Sequence, residues 1–361
     1  MFTIVCLLIL FMCIEMMHCL KMSPMRMSVS THSDPILVRA ARGEKVERAP
    51  VWMMRQAGRH MKAYRDLCQT HKTFRERSEN ANVAVEISLQ PLRQYGTDGC
   101  ILFSDILTPF PAMGIDFDIL EQTGPRLRPW RTMEDVNSMK PIDPWKYTPF
   151  VAEALRSLRR EVGNTAAVLG FVGLPYTLGT YLVEGGSSTE FKNMKGLAYE
   201  QPLVLHSMLQ RLSDNIAEYA MYQIEAGAQI IQLFDSWAGV LAPADYDEFA
   251  APYQRKVIDA IKRKYPDTPL ILYINRSGAL LERMASCGVD IVSLDWTVSI
   301  DEARMRMGGK IGIQGNLDPM LLHAPDALLQ RRTLDILQKS GGHYHIMNLG
   351  HGIDSTTSEV K

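Results

Sequence analysis

From Pro50 onward, short apolar runs rich in β-branched and aromatic residues alternate with longer segments of helical periodicity. The longer segments include 203–226 and 326–339, and glycines suited to helix C-caps follow them at Gly227 and Gly341. This alternation predicts strand-helix units around a parallel sheet. The short runs are VWMM (51–54), CILFSD (100–105), AVLGFVG (167–173), IIQLFDS (230–236), LILYIN (270–275), IVSLDW (291–296), IGIQGNL (311–317) and HIMNLGH (345–351).

The number and character of these runs favour one α/β architecture. Eight continuous apolar runs, each buried on both faces and joined by helices, are typical of a single (β/α)₈ TIM barrel. An open doubly wound sheet is less well supported, because no G-x-G-x-x-G motif follows the first strands. The longest insertion, 107–165, separates the second and third runs and is expected to decorate the active face.

The first 33 residues differ from this pattern. Residues 2–14 form an apolar run of 13 residues, shorter than the roughly 20 that span a bilayer and typical of a signal-peptide core. The following segment 21–33, KMSPMRMSVSTHS, is basic and serine-rich like a transit peptide. We therefore divide the chain into a targeting leader, 1–33, and a barrel, 34–361. The alternative is a mis-annotated start, with the true initiator at Met22, Met25 or Met27.

Composition excludes several classes of function. The 39 Lys and Arg residues balance 40 Asp and Glu residues, so no field of the whole molecule favours nucleic acid. After the leader, Cys68, Cys100 and Cys287 are widely separated, without a C-x-x-C or His-x-Cys spacing. Neither a disulfide framework nor a zinc site is indicated.

The end of the first run carries a candidate anion site. Arg55 directly follows the apolar run, and Gln56, Ala57, Gly58 and Arg59 form the loop after it. Two guanidinium groups around a glycine-containing turn suit carboxylates or phosphates. A solvated basic loop or a salt bridge is the alternative.

Other polar residues follow later runs, at the barrel face where chemistry is expected. Asp105 and Ser236 end the second and fourth runs, and His351 lies between two glycines at the end of the eighth. A structural ion pair with one of the two arginines is a strong competing role for Asp105. Tyr181, taken alone, is a core or amphipathic position. The set suits an anionic small molecule transformed without a bound metal or cofactor.

Several longer segments resemble the uroporphyrinogen decarboxylase family, and the resemblance extends from about Ile36 to Ile353. Their amino-acid sequences most resemble those of the plant and algal type. The segments are PVWMMRQAGRHM (50–61), LFSDIL (102–107), GFVGLPYTLGTYLVEGG (170–186), LFDSWAG (233–239), LDWTV (294–298), QGNLDP (314–319) and NLGHGI (348–353).

The resemblance implies a single (β/α)₈ barrel, usually a homodimer. The implied enzyme is a carboxy-lyase that converts uroporphyrinogen III to coproporphyrinogen III in heme and chlorophyll biosynthesis, with no cofactor. It removes CO₂ from four acetate side chains, and Asp105 stabilises the protonated pyrrole intermediate. The implied catalytic residues are Asp105, Arg55, Tyr181 and His351. The implied substrate-binding residues are Arg55, Gln56, Ala57, Gly58, Arg59, Asp105, Tyr181, Ser236 and His351.

The resemblance also bears on the two ends of the chain. A plant or algal enzyme with this leader is expected in the plastid stroma, without a stable membrane span in the mature protein, or in the cytoplasm if the start is mis-annotated. Members of the family normally continue into a helix that covers the eighth strand, whereas ten residues follow His351 here, so the C-terminal helix is expected to be truncated.

Two other functions remain open. One is a non-catalytic tetrapyrrole-binding paralogue. The other is a corrinoid or thiol methyltransferase of the same superfamily, which is disfavoured because its zinc-binding His-x-Cys pair is missing.

Overall fold

The computed structural model describes residues 34–120 and 124–360, so the predicted leader, 1–33, lies outside the described residues. The described strands are β1 (Gly99–Ile101), β2 (Phe117–Leu120), β3 (Gly124–Leu127), β4 (Ala167–Gly173), β5 (Ile230–Phe234), β6 (Leu270–Tyr273), β7 (Ile291–Ser293), β8 (Gly312–Gln314) and β9 (His345–Ile346).

Seven of these strands form one parallel sheet in the order β1-β4-β5-β6-β7-β8-β9. Its register pairs Gly99 with Ala167 and Ile313 with His345, for example. Strands β2 and β3 form a separate antiparallel hairpin inside the long insertion. The predicted alternation of strands and helices around a parallel sheet is confirmed.

The first predicted strand, 51–54, is shorter than expected. Val51 forms a parallel bridge with Met347, just after β9, and its carbonyl accepts a hydrogen bond from Asp98 N, just before β1, at 2.7 Å. Trp52 N donates to Met347 O at 3.3 Å. Residues 50–52 are here called the closing segment. Their backbone is hydrogen-bonded to residues that flank the two edge strands of the sheet, β1 and β9.

After the closing segment, side chains rather than a neighbouring strand accept the backbone hydrogen bonds. Met53 N donates to Gln56 Oε1 at 3.1 Å, and Met54 N donates to Asn348 Oδ1 at 2.9 Å. These two N–H groups are therefore not available to a neighbouring strand. Arg55 then adopts a left-handed backbone conformation with φ of 57°, which turns the chain away from the sheet.

Helices connect the strands. Those of the described residues are α1 (Ile36–Ala41), α2 (Lys62–Thr70), α3 (Phe74–Glu79), α4 (Ala81–Tyr95), α5 (Met133–Ser138), α6 (Pro144–Tyr147), α7 (Pro149–Val162), α8 (Pro175–Glu184), α9 (Lys192–Glu200), α10 (Pro202–Glu225), α11 (Pro243–Phe249), α12 (Ala251–Lys264), α13 (Leu281–Ala285), α14 (Ile300–Arg306) and α15 (Asp326–Ser340).

The helices predicted over 203–226 and 326–339 are confirmed as α10 and α15. Gly227 and Gly341 both have positive φ values, 117° and 67°, as expected where a helix gives way to a turn. No helix among the described residues is long and apolar enough to cross a membrane.

The sheet interior contains a layer of hydrogen-bonded polar side chains. The Gln314 amide donates to Gln232 Oε1 at 3.0 Å and to Ser293 Oγ at 2.9 Å, and its oxygen accepts from Trp52 Nε1 at 2.9 Å. All four residues are buried. Their bonds join the closing segment to three strands, because a buried polar group that lacks a partner is costly.

His345 in β9 makes stability depend on pH. Burial lowers the pKa of this imidazole from 6.5 to about 4, although its bond to Gly315 O opposes the shift. Below pH 6.5 the unfolded chain binds a proton that the folded chain excludes until about pH 4. His345 should therefore contribute about 3 kcal/mol of stability above pH 6.5, and this contribution should be lost as the pH falls to about 4.

We expect His345→Gln to reduce this loss. Urea unfolding at a series of pH values from 7 to 4 measures the free energy of unfolding of both proteins. The slope for the wild type should exceed that for the variant by up to about 1.4 kcal/mol per pH unit. Parallel slopes would show that His345 is not excluded from protonation in the folded state.

Candidate functional site

Most of the predicted site residues meet at one end of the sheet, beyond the carboxyl ends of the strands. The charge of Arg55 affects the pKa values of Asp105, Tyr181 and His351, and the charge of Asp105 affects that of Tyr181. Arg55, Asp105 and His351 follow the closing segment, β1 and β9, respectively, whereas Tyr181 lies on α8. Residues distant in sequence are therefore brought within electrostatic reach of each other.

Residues 55–59 are here called the arginine loop. The buried side chain of Gln56 fixes this loop to the neighbouring backbone. This side chain is buried, and its amide donates to Gly99 O at 2.9 Å while its oxygen accepts from Met53 N. The Gln56 side chain is thus occupied by backbone groups. The guanidinium-bearing residues Arg55 and Arg59 are both exposed.

Backbone donors of the arginine loop are also available. Among the described residues, no hydrogen-bond acceptor is found for the N–H groups of Ala57, Gly58 and Arg59. Consecutive unpaired N–H groups beside two guanidinium groups form a suitable environment for a carboxylate.

Asp105, Asp235 and Asp295 are three of the acids that follow strands of the sheet, and the last two have fully occupied carboxylates. Asp235 accepts from Thr177 N at 2.8 Å, Thr177 Oγ1 at 2.7 Å and Gln254 Nε2 at 2.7 Å. Asp295 accepts from the backbone N–H and the hydroxyl of both Ser277 and Thr297. Both carboxylates are completely buried and hold loops in place.

Asp105, the third acid, has a different environment. Within the described part of the chain, its one hydrogen-bond donor is Leu107 N at 2.8 Å, and no Lys, Arg or His nitrogen lies within 4.0 Å of the carboxylate. The competing ion pair with Arg55 or Arg59 is therefore not seen. Burial raises the pKa of Asp105 above 3.8, while the Leu107 N–H and the Arg55 charge oppose the rise. The carboxylate keeps an oxygen free for a ligand.

Tyr181 packs against Trp237, the residue that follows Ser236. The rings of Tyr181 and Trp237 are 4.1 Å apart between centroids, and Ser236 immediately precedes Trp237. Burial, reinforced by the Asp105 charge, raises the pKa of the Tyr181 phenol to about 12, so it remains a hydrogen-bond donor at neutral pH. Both Tyr181 and Ser236 are half-buried.

His351 contacts two aromatic rings. Its imidazole makes edge-to-face contacts with Tyr273 and Trp296, at centroid distances of 6.3 and 6.1 Å. Burial first, and the Arg55 charge second, lower its pKa below 6.5. The ring is thus neutral at pH 7 and able to donate from one nitrogen and accept at the other.

Sequence reasoning missed Trp237 and Trp296 as neighbours of the site. Each follows a strand by a few residues, in LFDSWAG and LDWTV. An aromatic residue at such a position is usually part of the wall, so only its place beyond a strand end distinguishes it. No cluster of three or more His, Cys, Asp or Glu side chains able to hold a metal ion is found in the residues that the structure describes.

Comparison with known proteins is consistent over nearly the whole described chain. The family described as Uroporphyrinogen decarboxylase (URO-D) matches residues 32–361. Uroporphyrinogen decarboxylase of Prochlorococcus marinus is 56% identical over 330 residues, which cover 91% of this chain and 94% of the relative. That of a Picosynechococcus species is 55% identical, again over 91% of this chain and 94% of the relative.

A solved structure shares the fold at much lower identity. A methyltransferase from Methanosarcina mazei superimposes with a TM-score of 0.72 and 20% sequence identity, covering 91% of this chain and 97% of that one. At this identity the likeness shows a common fold alone.

Proposed function

Because the chain belongs to the uroporphyrinogen decarboxylase family, we propose that it removes CO₂ from the four acetate side chains of uroporphyrinogen III to give coproporphyrinogen III. The relatives from two cyanobacterial genera, both more than half identical over more than nine tenths of this chain, support the same activity.

The proposal rests on one observation: the Asp105 carboxylate has an oxygen without a hydrogen-bond donor among the described residues. Loss of CO₂ from a pyrrole acetate needs an electron sink, and protonation of the ring carbon creates a cationic one. An anion held against the pyrrole N–H groups stabilises that positive charge, and such preorganised electrostatics contribute about 3 kcal/mol. Of Asp105, Asp235 and Asp295, Asp105 is the one with an oxygen available for those N–H groups.

The arginine loop supplies what an anionic substrate needs. Uroporphyrinogen carries eight carboxylates, whereas this chain has a net charge of −1, so the cationic contacts must be local. We assign Arg55, Arg59 and the N–H groups of residues 57–59 to carboxylate binding. Arg55 is a poor acid, because a guanidinium does not readily lose its proton, so we assign it to holding a carboxylate at the reacting ring.

We assign hydrogen bonding at the substrate's periphery to Tyr181, Ser236 and His351. The first has a protonated phenol and the third a neutral imidazole near pH 7. Together with Asp105 they present donors and acceptors without a resident cofactor.

A product assay tests the proposed function. The purified protein is given uroporphyrinogen III under anaerobic, reducing conditions, and the products are separated by their number of carboxyl groups. Stepwise loss from eight carboxyls to four is the expected result. Bound but unchanged substrate would instead support the non-catalytic tetrapyrrole-binding paralogue.

Gly352 gives a test of the placement of Arg55. A Cβ at this glycine would lie 2.3 Å from Arg55 Cδ and 2.7 Å from its Cγ, so Gly352→Ala must displace the arginine side chain. We expect kcat/KM to fall by about 10-fold, the scale of weakening one charged hydrogen bond. Gly278→Ala is the matched control, because its nearest contact would be an ordinary 3.6 Å to Val298.

Gly352→Ala in an Arg55→Ala background shows whether the loss of activity comes from displacement of the Arg55 side chain or from another effect of the substitution. With the arginine side chain removed, Gly352→Ala should cost nothing further. An equal loss in both backgrounds would show that Gly352 does not act through Arg55.

We further propose that residues 34–361 form a single (β/α)₈ barrel that the closing segment closes, because this segment bonds to residues beside both β1 and β9. The family resemblance supports a homodimer, which the molecular mass in solution would test. It also supports a role in both heme and chlorophyll synthesis, which the pigment content after gene depletion would test. The truncated C-terminal helix stays a prediction.

For location we propose the plastid stroma, supported by the composition of residues 1–33 and by the cyanobacterial relatives. A fluorescent protein carrying residues 1–33 should enter plastids of an algal cell. Cytoplasmic fluorescence would favour a mis-annotated start.

A further inference from the structure

Asp235 directly precedes Ser236, one of the proposed site residues, and its carboxylate is costly to bury. Asp235 and its partners Thr177 and Gln254 are all at most 1% exposed. In the described parts of the chain, no Lys, Arg or His nitrogen lies within 4.0 Å of the carboxylate. The three donated hydrogen bonds, all at 2.7 or 2.8 Å, must therefore compensate for the lost hydration.

These bonds join two elements of the site. Thr177 lies in the first turn of α8, and Asp235 follows β5. The Thr177 hydroxyl donates to Asp235 and accepts from Trp237 N at 3.1 Å, so one side chain fixes both the acid and the residue two positions after it. We call this arrangement the Thr177–Asp235 bridge.

The bridge joins the two elements that carry Tyr181 and Ser236, the side chains assigned to the substrate. Tyr181 is four residues after Thr177, on the same face of α8, and its ring packs at a tilt against Trp237. Ser236 lies between Asp235 and Trp237. Loss of the bridge would allow the start of α8 to shift against the turn after β5, and the Tyr181 phenol would move relative to the Ser236 hydroxyl.

We propose that Thr177 and Asp235 are positioning residues, which hold the Tyr181 phenol and the Ser236 hydroxyl at a fixed separation for the substrate. This inference rests on the proposed function, because it concerns two of its binding residues. Neither Thr177 nor Asp235 touches the substrate; both act through the residues that do.

Thr177→Val tests the bridge, because valine keeps the shape and removes the hydroxyl. We expect kcat/KM for uroporphyrinogen to fall by about 10-fold, the scale of losing one hydrogen bond of a charged group. Thr177→Ser, which restores the hydroxyl, should recover most of the activity. Thr180→Val is the matched control: this hydroxyl is also buried in α8 but donates only to Tyr176 O of its own helix, so activity should be unchanged.

A double-mutant cycle with Tyr181→Phe distinguishes positioning from general destabilisation. If Thr177 acts through the Tyr181 phenol, Thr177→Val should cost clearly less in the Tyr181→Phe background than in the wild type. Equal losses in both backgrounds, or an equal loss in Thr180→Val, would overturn the proposal. Thr177→Ala provides the same cycle if the valine variant does not fold.

Failure of the proposed function would look different. In that case the wild type itself would release no CO₂ from uroporphyrinogen. If the wild type and Thr180→Val turn over the substrate and Thr177→Val does so equally well, the proposed function stands and the positioning role is overturned.

Discussion

Asp105→Asn should fold normally and lose turnover by about 10²-fold or more, the scale of removing one preorganised electrostatic stabiliser. The amide oxygen can still accept the hydrogen bond from Leu107 N, so the loop keeps its internal contact. What disappears is the negative charge to which we assign stabilisation of the protonated pyrrole. Steady-state assays with uroporphyrinogen and thermal unfolding of the same preparations measure the two parts of this prediction.

Asp259→Asn is the control for Asp105→Asn, because it removes an acid from the exposed surface of α12. Its turnover should match that of the wild type. Near-normal turnover in Asp105→Asn would remove Asp105 from the mechanism.

Arg55→Lys should lower kcat/KM by about 10- to 100-fold, since a hydrogen bond to a charged group contributes roughly 1.5–3 kcal/mol. Lysine retains the positive charge but not the planar fork that binds a carboxylate with two bonds. The left-handed backbone at this position, with φ of 57°, is equally strained for both residues, so the comparison isolates the side chain.

Arg160→Lys on the exposed surface of α7 is the matched control and should leave kcat/KM unchanged. If Arg55→Lys and this control behave alike, charge alone is sufficient at position 55, and the two-bond contact to a carboxylate is wrong.

Local pattern predicted much of the fold. The run AVLGFVG over 167–173 coincides with β4, and the helical spacing after Pro202 coincides with α10. The strand over 51–54 was overestimated because its later N–H groups bond to Gln56 and to Asn348, the second almost 300 residues away in the chain. The bond to Gln56 is formed by a side chain, and Asn348 is too far away in the chain to affect local periodicity.

In the site, too, some features could be predicted from local sequence and others depend on contacts between distant residues. The arginine loop could be identified from its residues, because two arginines and a glycine follow a strand directly. The sequence could not distinguish Asp105 from Asp235, since both are acids at strand ends. Contacts of Asp235 with Thr177 and Gln254 occupy its carboxylate, whereas Asp105 keeps a free oxygen. Tyr181 needed the family resemblance, because a tyrosine on an amphipathic helix has no distinguishing pattern.

We expect this chain to decarboxylate uroporphyrinogen with its own residues. The most direct measurement is the number of CO₂ molecules released per uroporphyrinogen III by the chelator-treated wild-type protein, under anaerobic and reducing conditions. We expect four, with coproporphyrinogen III as the product. Tight binding of uroporphyrinogen with no CO₂ released would contradict it.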